Sequence, residues 1–439
     1  MADELAVLML GLTALVSTAA NLYSVSSISE QGKENGYFAF FHFMVAGMTG
    51  AFLTADLFNL FVMFEIVLMS SYAMVAYTGT KRALFTSLKY VVLNLIGSTL
   101  MLIAIGGLYS VTGTVNMADM AQVLASGEVN MVPVLGLSTV LFCVFGIKSG
   151  IVPFQFWVPT VYSNSPPPAA AMMAGISKKV GIYAVIRLYF TVFSQAAIPG
   201  SALVFQGQSV SAVTGGLILL LALITVVFGG IGAVNRDRLE KLLSYSSIGQ
   251  VGFIYVPIAL GLIHGSKIAV IAAIVYMLNH GLAKSSLFMM NGVLDRITGT
   301  TKISELGGIS ERSKWLTAVF SVSMLSLVGF PPLLGFFSKF LVFNTAVSTA
   351  SWISLVFVFL GAVLTLLYAS KTVLSVFFGQ KIETDGDILL LEKAAITLLV
   401  VGIVILGLGF EQTYVFAELA AENVLQPETY IETVLGGMK

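Results

Sequence analysis

The chain has 439 residues, of which 57% are hydrophobic and only 10% charged, with a mean hydropathy of +0.95. That composition excludes a soluble globule and requires a multi-pass membrane protein. The 22 basic residues balance the 22 acidic ones, which gives no reason to expect a nucleic-acid partner, and the single cysteine, Cys143, excludes a disulfide framework or a cysteine-based metal centre.

Stretches apolar enough to cross about 30 Å of hydrocarbon occur twelve times, near 5–26, 37–56, 58–77, 85–109, 132–152, 168–193, 212–234, 243–262, 268–293, 315–344, 352–378 and 393–410. The expected fold is an all-α polytopic membrane protein. The first stretch has too few basic flanking residues for a cleaved signal and is read as a span. After the fourth, the amphipathic "MADMAQVLAS" (117–126) is expected to cap the outer surface. The fifth helix runs into "KSGIVPFQFWVPTVYSNSPPP", with Pro153, and the tenth contains "SLVGFPPLLGFFSKF", with Gly329, Pro331, Pro332 and Gly335.

Non-helical backbone survives at membrane depth only where it is buried in protein or lines a wet cavity, so both helices are expected to be broken. Counted from the second helix, each broken helix is the fourth of five. Two consecutive sets of five helices have opposite topology, the pattern of inverted repeats around an ion site. The chain then divides into a peripheral first helix and loop (1–36), two five-helix repeats (37–195 and 196–379), and a last helix with an outer tail (380–439). No residue-level repeat is visible. "GGIGAVNRDRLEKLL" follows a hydrophobic helix rather than a strand and is no nucleotide loop. No cofactor, metal or redox chemistry is expected in this chain.

Lysine and arginine collect in cytoplasmic loops. The loops after the first, third, seventh, ninth and eleventh helices hold Lys33, Lys81, Arg82, Arg236, Arg238, Lys241, Arg296, Lys302, Arg312, Lys314, Lys381 and Lys393, all on one side by parity. The opposite loops contribute only Lys267, and the ends of the chain are acid-rich. Both termini are therefore expected outside.

Apart from the terminal Lys439, eight cations remain within helices: Lys89, Lys148, Lys178, Lys179, Arg187, Lys284, Lys339 and Lys371. Charges at membrane depth are expensive, face a protein interior or water, and mark ion or proton routes. Lys89, Arg187 and Lys371 are close enough to helix ends to snorkel. Lys178 and Lys179 are adjacent and point about 100° apart, so they cannot share one role equally. Lys148, Lys284 and Lys339 are deeper or lie beside the breaks. Glu65 is the one acid well inside a span and needs a lysine from another helix to stay ionised. His280 and Lys284, four apart, share a helix face; His42 and His264 lie near span ends and receive no role. A break at Pro153 frees carbonyls and makes room for water near Lys148, which would let that lysine exchange protons at depth.

Four motifs, "GAFLTADLFNLFVMFEIVL", "GIKSGIVPFQFWVPTVYSNSPPPAAAMMAGISKK", "NHGLAKSSLF" and "GFPPLLGFFSKF", together resemble the antiporter-like subunits of respiratory complex I, of Mrp-type cation/proton antiporters and of membrane-bound hydrogenases. The first motif is most similar to the D component of the Mrp antiporters and to its counterpart in membrane-bound hydrogenases and related archaeal complexes, and the likeness covers about residues 37–380. The resemblance implies two inverted five-helix repeats, each with a broken helix, and a chain of charges across the membrane centre. By motif, Glu65, Lys148, Lys178, His280, Lys284 and Lys339 match the family's ion-path positions, with Asp56, Lys179 and Lys371 as further candidates. Members usually have about fourteen helices, and two before the first found here are not seen. The implied function is a non-redox, ion-translocating subunit in a prokaryotic cell membrane. Its partners would be other membrane subunits, lipid, H+ and, in antiport, Na+. The competing readings are a stand-alone transporter for an organic solute and a scaffold without transport.

Overall fold

The computed structural model describes residues 2–196, 209–379 and 386–436; Lys381, Lys439 and most of the loop at 195–211 lie outside them. In chain order the main helices are Glu4–Ser27 (α1), Tyr37–Leu53 (α2), Leu57–Ala76 (α3), Lys81–Thr112 (α4), Met117–Ala125 (α5), Met131–Ser149 (α6), Trp157–Tyr162 (α7), Pro167–Gln195 (α8), Val210–Val234 (α9), Leu239–His264 (α10), Lys267–Thr298 (α11), Lys314–Val328 (α12), Leu334–Ser348 (α13), Trp352–Phe378 (α14), Leu390–Leu408 (α15), Phe410–Leu425 (α16) and Pro427–Gly436 (α17). Ten of these are long and apolar enough to cross a membrane, while α2, α12 and α13 are shorter apolar helices. With α2 as one crossing and α12 plus α13 as another, the twelve expected spans are all present. No strand occurs among the described residues, which hold only the isolated bridges Asp56–Asn116 and Arg238–Lys302.

Helices α8, α10 and α11 form the centre, with 94% of each apolar window buried, against 39% for α4 and 33% for α14. Glycine sets some of the close approaches. A Cβ on Gly229 would fall 2.1 Å from the Gly249 nitrogen, so α9 and α10 touch backbone to backbone. The first helix, α1, packs against α2, α8, α11, α15 and α16. Beyond the last span the chain continues as α16 and α17, and α17 lies on α5.

Both expected breaks are present, and they share one backbone pattern. At the first, Gly150 is left-handed (φ 74°) and Gly150 N–H donates to the Gly146 carbonyl, Ile151 to the same carbonyl, and Phe154 to that of Ile151. At the second, Gly329 is left-handed (φ 93°), and Gly329, Phe330 and Leu333 make the equivalent bonds to Leu325, Leu325 and Phe330. Only glycine adopts that conformation without penalty. Pro153 and Pro332 each follow their glycine by three residues. The fifth expected helix therefore ends at Ser149, short of 152, and the tenth is two half-helices rather than one.

Gly335 lies not in the break but in the first turn of α13, where it touches α12 across it. A Cβ there would fall 1.6 Å from the Ser326 carbonyl oxygen, a backbone atom that cannot yield. Gly335→Ala should destabilise the solubilised protein by about 3 kcal/mol, read as a lowered Tm. Gly216→Ala, which meets nothing within 4 Å, should leave Tm unchanged.

Cross-loop contacts sort the loops into two faces. On one, Asn35 donates to Tyr77 O, Asp237 accepts from Ser304, Ser310 donates to Phe377 O, and Arg296 and Arg312 reach Glu392 and Asp387. On the other, Leu57 and Met117 exchange backbone bonds with Val115 and Ala55, Asp3 pairs with Arg187, and Lys267 pairs with Glu418 and Glu422. These are the two groups that span parity assigns.

Candidate functional site

Six buried bases form the interior row: Lys148 on α6, Lys178 and Lys179 on α8, His280 and Lys284 on α11, and Lys339 on α13. Among the described residues none of the six is in an ion pair. Each is held instead by hydroxyls, amides, carbonyls or aromatic rings, and the order of those partners shows what the row connects.

At one end, Glu65 on α3 is half-buried and accepts a short hydrogen bond from Ser98 of α4. Lys148 Nζ donates to Ser98 Oγ at 3.3 Å and to Asn94 Oδ1 at 3.4 Å. The carboxylate and the amine are therefore linked through a serine. The Lys148 amine is held by α4 and not by the carbonyls freed at the first break. Helical side chains lean toward the helix N-terminus, and Lys148 precedes its break, so Nζ points away from it. The freed Ile147 carbonyl accepts from Trp157 Nε1 at 2.9 Å.

Lys178 takes the place at that break. Its Nζ lies 5.2 Å from the Tyr162 ring centre and 6.0 Å from that of Trp157, beside Gly150, and donates to Ser247 Oγ at 3.4 Å. Lys179 points to the other partner: its Nζ is 2.6 Å from His280 Nδ1 and donates to the Ala174 carbonyl at 2.9 Å. Ser247 Oγ is 3.4 Å from His280 Nε2, so both imidazole nitrogens have partners. An ammonium at Lys179 donates to Nδ1 and leaves the ring proton on Nε2, facing Ser247. A π-helical turn at Met173–Ser177 sets this register, and Gly175 makes room for it: a Cβ there would overlap Ser285 Oγ of α11 at 2.0 Å.

Lys284 Nζ donates to Ser246 Oγ at 2.6 Å and to the Leu243 carbonyl at 3.2 Å. From Ser246 a polar chain runs on. Ser246 Oγ donates to Tyr368 OH at 2.7 Å, Gln250 Nε2 donates to the same oxygen at 3.3 Å, and Tyr276 OH donates to Gln250 Oε1 at 2.5 Å. Phe253 stacks on Tyr276 at 5.6 Å and presents its ring 5.2 Å from Lys339 Nζ. Lys339 follows its break, so its side chain leans back into it and donates to the Val328 carbonyl at 3.0 Å, at the negative end of α12.

The remaining candidates lie elsewhere. Asp56 caps α3, accepting from Asn59 N at 2.7 Å. Lys371 is exposed, 3.4 Å from the Val234 carbonyl, and Lys89 is exposed over the Phe85 ring. Arg187 does not snorkel: it is 3% exposed, pairs with Asp3, and stacks on Tyr183 and Tyr430. Reading charges alone missed Asn94, Ser98, Ser246, Ser247, Gln250, Tyr276 and Tyr368. The polar run "SYSSIGQ" in the middle of the apolar α10 was the available signal; a lone Ser98 or Tyr368 carries none.

Comparison with known proteins gives the family. The family described as NADH:quinone oxidoreductase/Mrp antiporter, TM matches residues 54–365. The D component of the Na(+)/H(+) antiporter of Alkalihalophilus pseudofirmus is 37% identical over 442 aligned positions, covering 99% of this chain and 85% of that protein. A chain of the Mrp complex from Dietzia sp. superposes with a TM-score of 0.88 at 26% identity, covering 99% of this chain and 86% of that one. A chain of an archaeal membrane-bound sulfane sulfur reductase does so with 0.87 at 26%, covering 98% and 84%. This multi-pass chain, with its two broken helices and central row of lysines, therefore belongs to the NADH:quinone oxidoreductase/Mrp antiporter membrane family.

Proposed function

We propose that this chain is the proton-carrying subunit of a multisubunit cation/proton antiporter in the cell membrane. The observation that carries the reading is the row itself: buried amines and an imidazole on four helices, held by hydroxyls, carbonyls and aromatic rings and, among the described residues, in no ion pair from Lys148 to Lys339. Amines and imidazole exchange protons, and a row of bases repels Na+ while offering it no oxygen cage. Glu65, half-buried at one flank, is where a neighbouring subunit would couple to Lys148 through Ser98. The matching backbone of the two breaks supports two inverted repeats, at 37–195 and 196–379.

In vesicles holding the assembled complex, Lys284→Met and Lys339→Met should each reduce cation/proton exchange by about a hundredfold or more, with assembly intact. The isolated wild-type chain should transport nothing. Solute uptake by the isolated chain would instead support a stand-alone transporter.

The basic loops support a cytoplasmic placement of their face and an outside placement of both termini. With Cys143 replaced by serine, a cysteine at Glu128 should react with an impermeant reagent from outside, and one at Lys302 should not. The reverse labelling pattern would overturn the orientation.

A further inference from the structure

A cleft of about 320 Å³ opens between α4 and α7 on the flank of the molecule, lined by Thr86, Lys89, Tyr90, Phe156, Trp157 and Thr160 among others. Among the described residues Lys89 is the one cation of its lining, and its body is apolar. Arg82, Phe85 and Lys89 share one face of α4, and Lys89 Nζ lies 4.4 Å from the Phe85 ring centre. Lys81, Arg82 and Lys89 are all exposed, and among the described residues no carboxylate comes within 4.0 Å of any of them. Of these three, Lys89 lines the groove, whose outer edge is Phe156, 72% exposed, while Lys81 and Arg82 lie about two turns nearer the start of α4.

Depth decides what fits. α4 has 32 residues, about 48 Å at 1.5 Å per residue, whereas hydrocarbon takes about 20 residues. Its first turns therefore stand at headgroup level on the face carrying the basic loops, and Lys89 lies at the hydrocarbon boundary. We infer that this cleft binds an anionic phospholipid, its phosphate held by Arg82 and Lys89 with Thr86 and Thr160, and an acyl chain laid along Leu93, Phe156 and Val161. A zwitterionic lipid brings its own cation toward Lys89 and fits the cleft less well.

The cleft shares a wall with the row of bases. Tyr90 and Trp157 stack at 5.0 Å, Trp157 is tied to the carbonyl next to Lys148, and Lys178 Nζ is 6.0 Å from the Trp157 ring centre. Trp157 thus stands between the cleft and Lys178, so a lipid that seats this ring raises the rate of proton transfer. This second step rests on the proposed function; lipid binding does not.

The test uses the purified, assembled complex and diazirine-bearing phosphatidylglycerol or phosphatidylcholine, with cross-links mapped by mass spectrometry. Phosphatidylglycerol should label peptides spanning 83–93 and 154–163, phosphatidylcholine much less, and excess inorganic phosphate should not compete. The double variant Arg82→Gln/Lys89→Gln should capture phosphatidylglycerol about thirtyfold less, the loss of two surface charges. Equal labelling by both lipids, undiminished labelling of the double variant, competition by free phosphate, or a cleft shielded by another subunit would each overturn the site. In vesicles, wild-type exchange should rise when phosphatidylglycerol is added to phosphatidylcholine, and the double variant should keep its phosphatidylcholine rate without responding. Binding with no change in rate would overturn the second step alone.

Discussion

Replacing Lys148 with methionine should reduce coupled transport in the assembled complex by about a hundredfold or more, with subunit assembly unchanged. Methionine retains the volume at a site only 5% exposed and removes the amine that the proposed path requires. Glu65→Gln should come close to the same loss, because the pair communicates through Ser98. Ser98→Ala should cost about tenfold, since it removes the bridge to a charged group but leaves both ends. Lys148→Arg is the deciding variant. Arginine keeps the charge and can still donate to Asn94 and Ser98, but it does not release a proton at accessible pH. Full exchange by a well-assembled Lys148→Arg complex would make Lys148 a structural cation and move the proton route elsewhere.

Lys179→Met should be as damaging as Lys148→Met, and more damaging than Lys178→Met. Lys179 is in direct contact with the imidazole at 2.6 Å, whereas Lys178 reaches it only by way of Ser247 and is otherwise enclosed by Trp157 and Tyr162. With Lys179 gone, Nδ1 loses its partner and only the Ser247 hydroxyl, which can donate or accept, faces the ring. The link from α8 to α11 then loses its donor. His280→Ala should give the same loss as Lys179→Met, and the double variant should be no worse than either, because the two act as one unit. Exchange rates of the three complexes in vesicles decide it: near-wild-type exchange in Lys179→Met, or additive losses in the double variant, would separate Lys179 from the path.

Much of the molecule was legible before any coordinates. A charge inside an apolar run is so expensive that its presence alone marks an interior position. Lys148, Lys178, Lys179, Lys284 and Lys339 were therefore identifiable one residue at a time, and His280 entered with Lys284 by helical spacing. The twelve spans and both breaks followed from run length and from glycine and proline, which act on the backbone locally.

What a residue touches across a helix boundary is another matter, since it depends on rotation and crossing distance. The π-helical turn at Met173–Ser177 is decisive: one extra residue in a turn rotates everything after it by about 100°, enough to exchange which of Lys178 and Lys179 meets His280. The lean of side chains toward the helix N-terminus separated Lys148, which turns from its break, from Lys339, which enters its own. Serine and tyrosine are cheap enough in an apolar helix that Ser98, Tyr276 and Tyr368 stand out only when the tertiary structure brings a lysine or another polar group to them. The sequence by itself determined where charge is buried and where the backbone gives way; the packing of α8, α10 and α11 decided which of those charges are neighbours, because that choice is made between helices and not along them.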